Sequence, residues 1–159
     1  MRNIILIVFL IVCLISCKKS ESLSSKFIGT WYDTEYVVPS LTVLKIKADS
    51  TFSCTSGACT WQGFSQGKWK IVGDSIELNS IKSDTCYTML PFVHCDPFEK
   101  RKDSLTISNC NPKGVGDFLV FNKERFYLKN DSLVYKLKRS SKCPDSLRII
   151  FAKTQKIKK

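Results

Sequence analysis

Strict alternation of polar and apolar residues recurs in short segments along most of the chain. Lys68-Trp69-Lys70-Ile71 alternates, and so does Ile76-Glu77-Leu78 after it. Phe126 and Leu128 alternate with Arg125, Tyr127 and Lys129; Leu133, Tyr135 and Leu137 alternate with Val134, Lys136 and Lys138. Leu44 and Ile46 alternate with Lys45 and Lys47, and Leu105/Ile107 and Leu147/Ile149/Phe151 repeat the pattern. A period of two places one row of side chains in a core and the other in water, which describes an antiparallel sheet wet on one face. No window of useful length carries a helical period. The fold expected is therefore all-β.

The turns set the topology. Gly73-Asp74 and Asn130-Asp131 separate alternating runs by two residues, the signal of a tight hairpin. Asp-Ser recurs before a β-prone or apolar residue at Thr51, Ile76, Leu105, Leu133 and Leu147. The first four aspartates, at 49, 74, 103 and 131, are evenly spaced. Two strands and two turns fill roughly 25–28 residues, so this spacing predicts an up-and-down meander with alternate turns at one end. Eight to ten strands (an estimate from ordinary strand lengths,) point to a closed sheet, because closure removes exposed edges. A β-sandwich is the structural alternative. Residues 91–103 and 109–117 read as the longest turn-rich loops.

Asp and Ser favour turns by bonding to nearby backbone. Asp-Ser followed by an aliphatic residue or Thr also resembles the O-glycosylation site of certain envelope-glycosylating bacteria. The resemblance makes Ser75, Ser104, Ser132 and Ser146 candidate glycan acceptors, with turn chemistry the favoured reading.

Gly29-Thr30-Trp31 is similar to the G-x-W motif that opens lipocalins and the lipocalin-like domains of bacterial lipoproteins. Asp49-Ser50-Thr51-Phe52 and Gly67 through Leu78 look like the following run of those domains. The match covers roughly residues 27–78; the second half shares only its strand–turn rhythm. The resemblance implies a lipocalin-like β-barrel with Trp31 plugging the closed end. It also implies a late-strand arginine packed on that Trp, for which Arg139 and Arg148 are the candidates.

The N-terminus reads as an export signal. Arg2 precedes an unbroken apolar run, Ile4 to Ile15. As a helix this run spans about 18 Å, too short for a hydrocarbon core of roughly 30 Å, and fits the apolar region of a secretory leader. Leu14-Ile15-Ser16-Cys17 resembles the lipobox of bacterial lipoproteins. That implies cleavage before Cys17, lipid on its sulfur, and stable membrane anchoring by two or more acyl chains. Lys18 stands where an aspartate would resemble an inner-membrane retention signal, so the outer membrane is favoured over the inner. The expected organisation is a leader at 1–16, a lipidated cysteine and polar tether at 17–26, the β domain at 27–153 and a basic tail at 154–159.

Of eight cysteines, Cys13 leaves with the leader and Cys17 takes lipid. Cys54, Cys59, Cys86, Cys95, Cys110 and Cys143 remain, an even number that predicts disulfides in an oxidising compartment. Pairing of neighbours, 54–59, 86–95 and 110–143, is preferred among the many connectivities. A metal site on His94, Cys95, Cys86 and the Cys54/Cys59 pair is the alternative, but the spacings match no common zinc motif.

Nothing in the sequence assembles catalytic machinery. His94 is the single histidine. A Cys–His nucleophile needs a free thiolate, which pairing of Cys95 removes. Gly114-Val115-Gly116 lacks the strand–Gly–helix setting of a phosphate loop. No catalytic residue, metal or cofactor is expected.

The formal charge is +11. Lys136, Lys138, Arg139, Lys142, Arg148, Lys153, Lys156, Lys158 and Lys159 crowd the last quarter, a patch suited to anionic lipid or glycan. Nucleic acid is excluded by the expected compartment. The sequence thus predicts a membrane-anchored, non-enzymatic envelope protein. It would bind a small apolar or amphipathic ligand in the barrel, or act with a filled core through its basic surface or loops on a protein, glycan or lipid headgroup.

Overall fold

The structure, a computed structural model, describes residues 23–34, 40–95, 104–112 and 116–155. Cys17 and its leader lie outside the described residues, as do Asp103, Lys156, Lys158 and Lys159.

Among the described residues one helical turn, α1 (Leu23–Phe27), is followed by eleven strands. These are β1 (Gly29–Asp33), β2 (Ser40–Ile46), β3 (Thr51–Ala58), β4 (Trp61–Val72), β5 (Ser75–Ser80), β6 (Thr88–Pro91), β7 (Ser104–Leu105), β8 (Asp117–Val120), β9 (Asn122–Lys129), β10 (Ser132–Lys136) and β11 (Ile150–Ala152). Eight of them, β1–β5 and β9–β11, close into an antiparallel barrel: β1 pairs with β2 and β11, and β3 pairs with β4. This is the closed antiparallel barrel that alternation and turn spacing predict, and the lipocalin-like form that the motif resemblance implies, not a sandwich.

The hairpins follow their turn chemistry. Gly73 takes a φ of 63° at the first turn position between β4 and β5, which a residue without Cβ adopts most easily. Asn130 and Asp131 both take positive φ, 49° and 58°, as a type I′ turn requires. At Asp49 the carboxylate accepts from the Thr51 amide at 3.0 Å and the Thr51 hydroxyl at 2.6 Å. These hydrogen bonds hold the Asp49 carboxyl below its ordinary pKa. The β2–β3, β4–β5 and β9–β10 turns share one end of the barrel, as the Asp spacing predicts. Asp145 departs from the rhythm: it lies in the connection from β10 to β11, at the other end.

α1 closes the turn end. Phe27 and Trp31 are both fully buried there, and the Trp31 indole donates to the Phe27 carbonyl at 2.8 Å. Gly29, with φ 141°, turns the chain from α1 into β1. Lys153 lies over the Trp31 ring, 5.2 Å from its centroid, within cation–π range. The residue packed on the Trp is therefore Lys153, not Arg139 or Arg148. Arg148 instead donates to the Asp145 carbonyl at 2.6 Å, closing its own turn.

The second half departs from a simple meander. β4 is twelve residues long, but β5 pairs only with its last half, up to Gly67. The upper half of β4 would be left without a neighbour on that side. β8 takes the place, parallel, with Gly63 opposite Asp117 and Phe64 opposite Phe118. β6 adds to β8 in parallel and β7 to β6, making a flap inserted between β5 and β9. The flap occupies part of what the sequence reads as loops. Conversely, β7 stops at Leu105 and β11 starts at Ile150, so Ile107, Leu147 and Ile149 lie outside strands.

The neighbour pairing of cysteines is corrected. The bridges are Cys86–Cys110 and Cys95–Cys143, and Cys54 and Cys59 are thiols. β3 is extended from Cys54 to its end at Ala58, on the order of 13 Å at its rise per residue, and Cys59 lies in the turn beyond it, so the two stand farther apart than the reach of about 7 Å that a disulfide tolerates. β6 likewise keeps the chain extended between Cys86 and Cys95. The return strand brings Cys110 beside Cys86, with Thr106 bonded to the Tyr87 backbone in both directions at 2.9 and 3.0 Å. Cys95–Cys143 ties the flap to the β10–β11 connection.

Candidate functional site

The barrel interior is packed. Phe52, Phe126 and Phe151 point inward with Leu44, Ile76 and Leu133, all at 1 % exposure or less. The mouth is filled from above by Phe92 of the flap segment. Its ring stacks on Phe121 at 4.2 Å and meets Phe126 and Tyr135 near 6 Å, at 5.9 and 6.0 Å. Above Phe92 and Phe151 a depression of about 200 Å³ remains, with Asp33, Thr42 and Ser56 on its polar wall. Thr42 and Ser56 are already hydrogen-bonded to each other at 2.8 Å. Small-molecule sites usually occupy about 300–1,000 Å³, so the depression formed by the described residues is smaller than such a site.

The larger concavities lie on the outer wall. Register aligns four charged residues across β4, β5, β9 and β10: Lys70 opposite Glu77, Glu77 opposite Arg125, and Arg125 opposite Lys136. Glu77 is 3 % exposed. Arg125 donates Nε and Nη2 to its Oε2 at 3.1 Å, and Lys70 Nζ stands 3.4 Å from Oε1. Burial pushes the Glu77 carboxyl up, but the hydrogen bonds from Arg125 and Lys70 outweigh it and hold the pKa below its ordinary value. Arg125 and Lys136 are thus like charges directly opposite each other, an arrangement that destabilises a sheet.

These two cations open into a groove of about 620 Å³ with Lys123, Lys138, Arg139 and Asn122 on its walls. At its inner edge sits Glu124, 5 % exposed. Tyr135 Oη donates to its Oε2 at 2.6 Å, and Lys138 Nζ donates to its Oε1 and to the Asn122 carbonyl. Burial first, and then the bond to Glu124, push the Tyr135 phenol well above its ordinary pKa, so it acts as a donor only. The Lys123 backbone, at a positive φ of 55°, forms the bulge where β9 leaves its register with β5. That bulge turns the neighbouring side chains out toward the groove.

The structure divides the cationic run of the last quarter. Lys136, Lys138 and Arg139 join the groove, whereas Lys153 is at the opposite end, on Trp31. Lys123 and Arg125, which the cationic run from Lys136 to Lys159 does not include, complete it. Hairpin arithmetic does contain part of the signal: a two-residue turn at 130–131 sets Arg125 opposite Lys136.

Other singled-out residues have separate places. Ser75 is 2 % exposed and donates its hydroxyl to Asp74 at 2.7 Å, serving the turn. Ser104 and Ser146 are exposed and Ser132 is half-buried. His94 is exposed and adjoins Cys95, whose sulfur is bridged to Cys143. Among the described residues no three His, Cys, Asp or Glu side chains gather as metal ligands. Among the same residues no helix is long and apolar enough to cross a membrane. No protein-family profile, curated protein or solved structure matches this chain.

Proposed function

We propose that this chain is an envelope lipoprotein, anchored through acyl chains on Cys17, that works without catalysis by binding anionic groups in the groove of Lys123, Arg125, Lys136, Lys138 and Arg139. The observation that carries the reading is the pair Arg125–Lys136. A sheet that sets two cations opposite each other gains stability when an anion sits between them. The packed barrel supports a site on the outer wall over one in the interior, and the bridged Cys95 beside His94 supports a non-enzymatic role.

The anchor agrees with this geometry. Leu23, six residues beyond Cys17, begins the plug at the closed end, and six extended residues reach at most about 20 Å. The plug end therefore faces the anchoring membrane, in the outer membrane of a cell that has one, and the flap end stands toward solvent.

The test uses the chain from Lys18 to Lys159, which contains every described element, on a phosphate-bearing polyanionic resin. Retention should be salt-sensitive, and Lys136→Glu with Arg139→Gln should weaken it ~10-fold or more, at about 1 kcal/mol per basic residue near an anionic surface. Unchanged retention in that variant removes the groove from the function.

A further inference from the structure

A second concavity adjoins the groove. Parallel register sets Met89 opposite Phe118 and Pro91 opposite Val120, so these four side chains share one face of the flap. With Val93 and Phe121 they wall a cavity of about 480 Å³, open to solvent along one side. Phe118 and Phe121 are buried at its base, whereas Met89, Val93 and Val120 are only half-buried and Pro91 is exposed. The alternate residue Leu119 faces the barrel mouth instead.

Asn79, Ser80, Asn122, Glu124 and Lys138 come to this cavity from β5, β9 and the segment after β10, whereas Ser104 borders it beside Met89. Asn122 and Lys138 also line the basic groove. The two concavities therefore meet at Lys138, whose ammonium is fixed by Glu124 and the Asn122 carbonyl. One side of that junction is apolar and the other carries four further cationic walls, Lys123, Arg125, Lys136 and Arg139.

We propose that flap pocket and groove form one site for a single-chain amphiphile with a phosphate head, the alkyl chain lying against Met89, Val93, Phe118 and Val120 and the phosphate between Arg125 and Lys136. This deepens the anion-binding reading and rests on it. The chain covers an apolar face that the fold leaves half open, and the head neutralises the opposed cations. A volume of about 480 Å³ lies within the range of small-ligand sites. No covalent step is involved.

Calorimetric titration of the chain 18–159 with inorganic phosphate, hexyl phosphate, octyl phosphate and octanol, each below its aggregation limit, tests the site. Octyl phosphate should bind at least 100-fold tighter than inorganic phosphate, with a gain of up to about fourfold per methylene from hexyl to octyl. Lys123→Gln with Arg139→Gln should weaken octyl phosphate and leave octanol unchanged. Val120→Trp should erase the gain per methylene while inorganic phosphate still binds. Ser104→Trp, at an exposed position lining the same cavity, should do the same if the Val120 variant fails to fold. Octyl phosphate no tighter than inorganic phosphate overturns the amphiphile and leaves the groove standing. A sulfated oligosaccharide outcompeting octyl phosphate overturns it in favour of a glycan. Binding of no anion at all removes both readings.

Discussion

Two side chains show how position on a strand decides chemistry. Cys54 and Cys59 are both thiols, but Cys54 sits in the middle of β3 and points into the core at 1 % exposure, while Cys59 follows the strand and is exposed at the hairpin tip. Burial pushes the Cys54 thiol up to about 12, and only the thiolate reacts. At pH 8 a thiol reagent should therefore modify one cysteine per folded chain 18–159 and two after unfolding under non-reducing conditions. Two fast equivalents in the folded protein would contradict the inward placement of Cys54. Glu77 gives a pH dependence of definite sign. Its folded pKa lies below the ordinary 4.5, so its contribution is present above that value and is lost as pH falls through the folded pKa. Wild-type denaturation midpoints should fall between pH 5 and pH 3 more steeply than those of Glu77→Gln; equal slopes would remove the carboxylate as the cause.

At the scale of elements, the β9–β10 hairpin and the flap differ in what holds them. The hairpin is set by its turn and by side chains on adjacent strands, and it retains opposed cations at some cost. Lys136→Glu places an acid opposite Arg125 and should raise the stability of the unliganded chain by roughly 0.2–1 kcal/mol. The same change lowers anion binding. A rise in Tm with loss of retention on polyanion is the signature of a site kept for function; a rise in Tm alone describes an ordinary solvated face. The flap has short strands and depends on covalent ties. Cys86–Cys110 and Cys95–Cys143 close separations of 24 and 48 residues, worth about 3.5 and 4 kcal/mol on the chain-entropy view. Replacing Cys95 and Cys143 by Ser should raise amide exchange in residues 86–95 and 117–120 while the β1–β5 ladder stays protected. Uniform loss of protection would show that flap and barrel unfold as one unit.

At the scale of the whole molecule, export and anchoring are read from the lipobox resemblance at Cys17. The native product should begin at Cys17 and exceed the polypeptide mass by its acyl chains, as intact mass spectrometry reports. An unmodified sulfhydryl at that position overturns the anchor, and a further mass in hexose units would assign glycan to the exposed Ser104 or Ser146. The fold and half of the site were legible beforehand for a local reason. A two-residue turn and a period of two fix which residues lie opposite within a hairpin, so Lys70–Glu77 and Arg125–Lys136 follow from numbering alone. Of the evenly spaced Asp49, Asp74, Asp103 and Asp131, three mark turns at a shared end, whereas Ser104 after Asp103 opens strand β7 of the flap and breaks the meander. The pairing of β5 with β9, which brings Glu77 under Arg125, follows from no local rule, because the 41 residues from 81 to 121 separate those strands. The same holds for the cysteine partners, for Lys153 on Trp31, and for β8 docking parallel on the uncovered half of β4. Sequence alone determined the all-β class, the barrel's hairpins and their turns, since backbone geometry and alternation act over a few residues, but not the flap strands β6–β8. Contacts between distant segments, and the two concavities they form, were decided by how the inserted flap satisfies an incomplete sheet edge and packs Phe92 into the mouth.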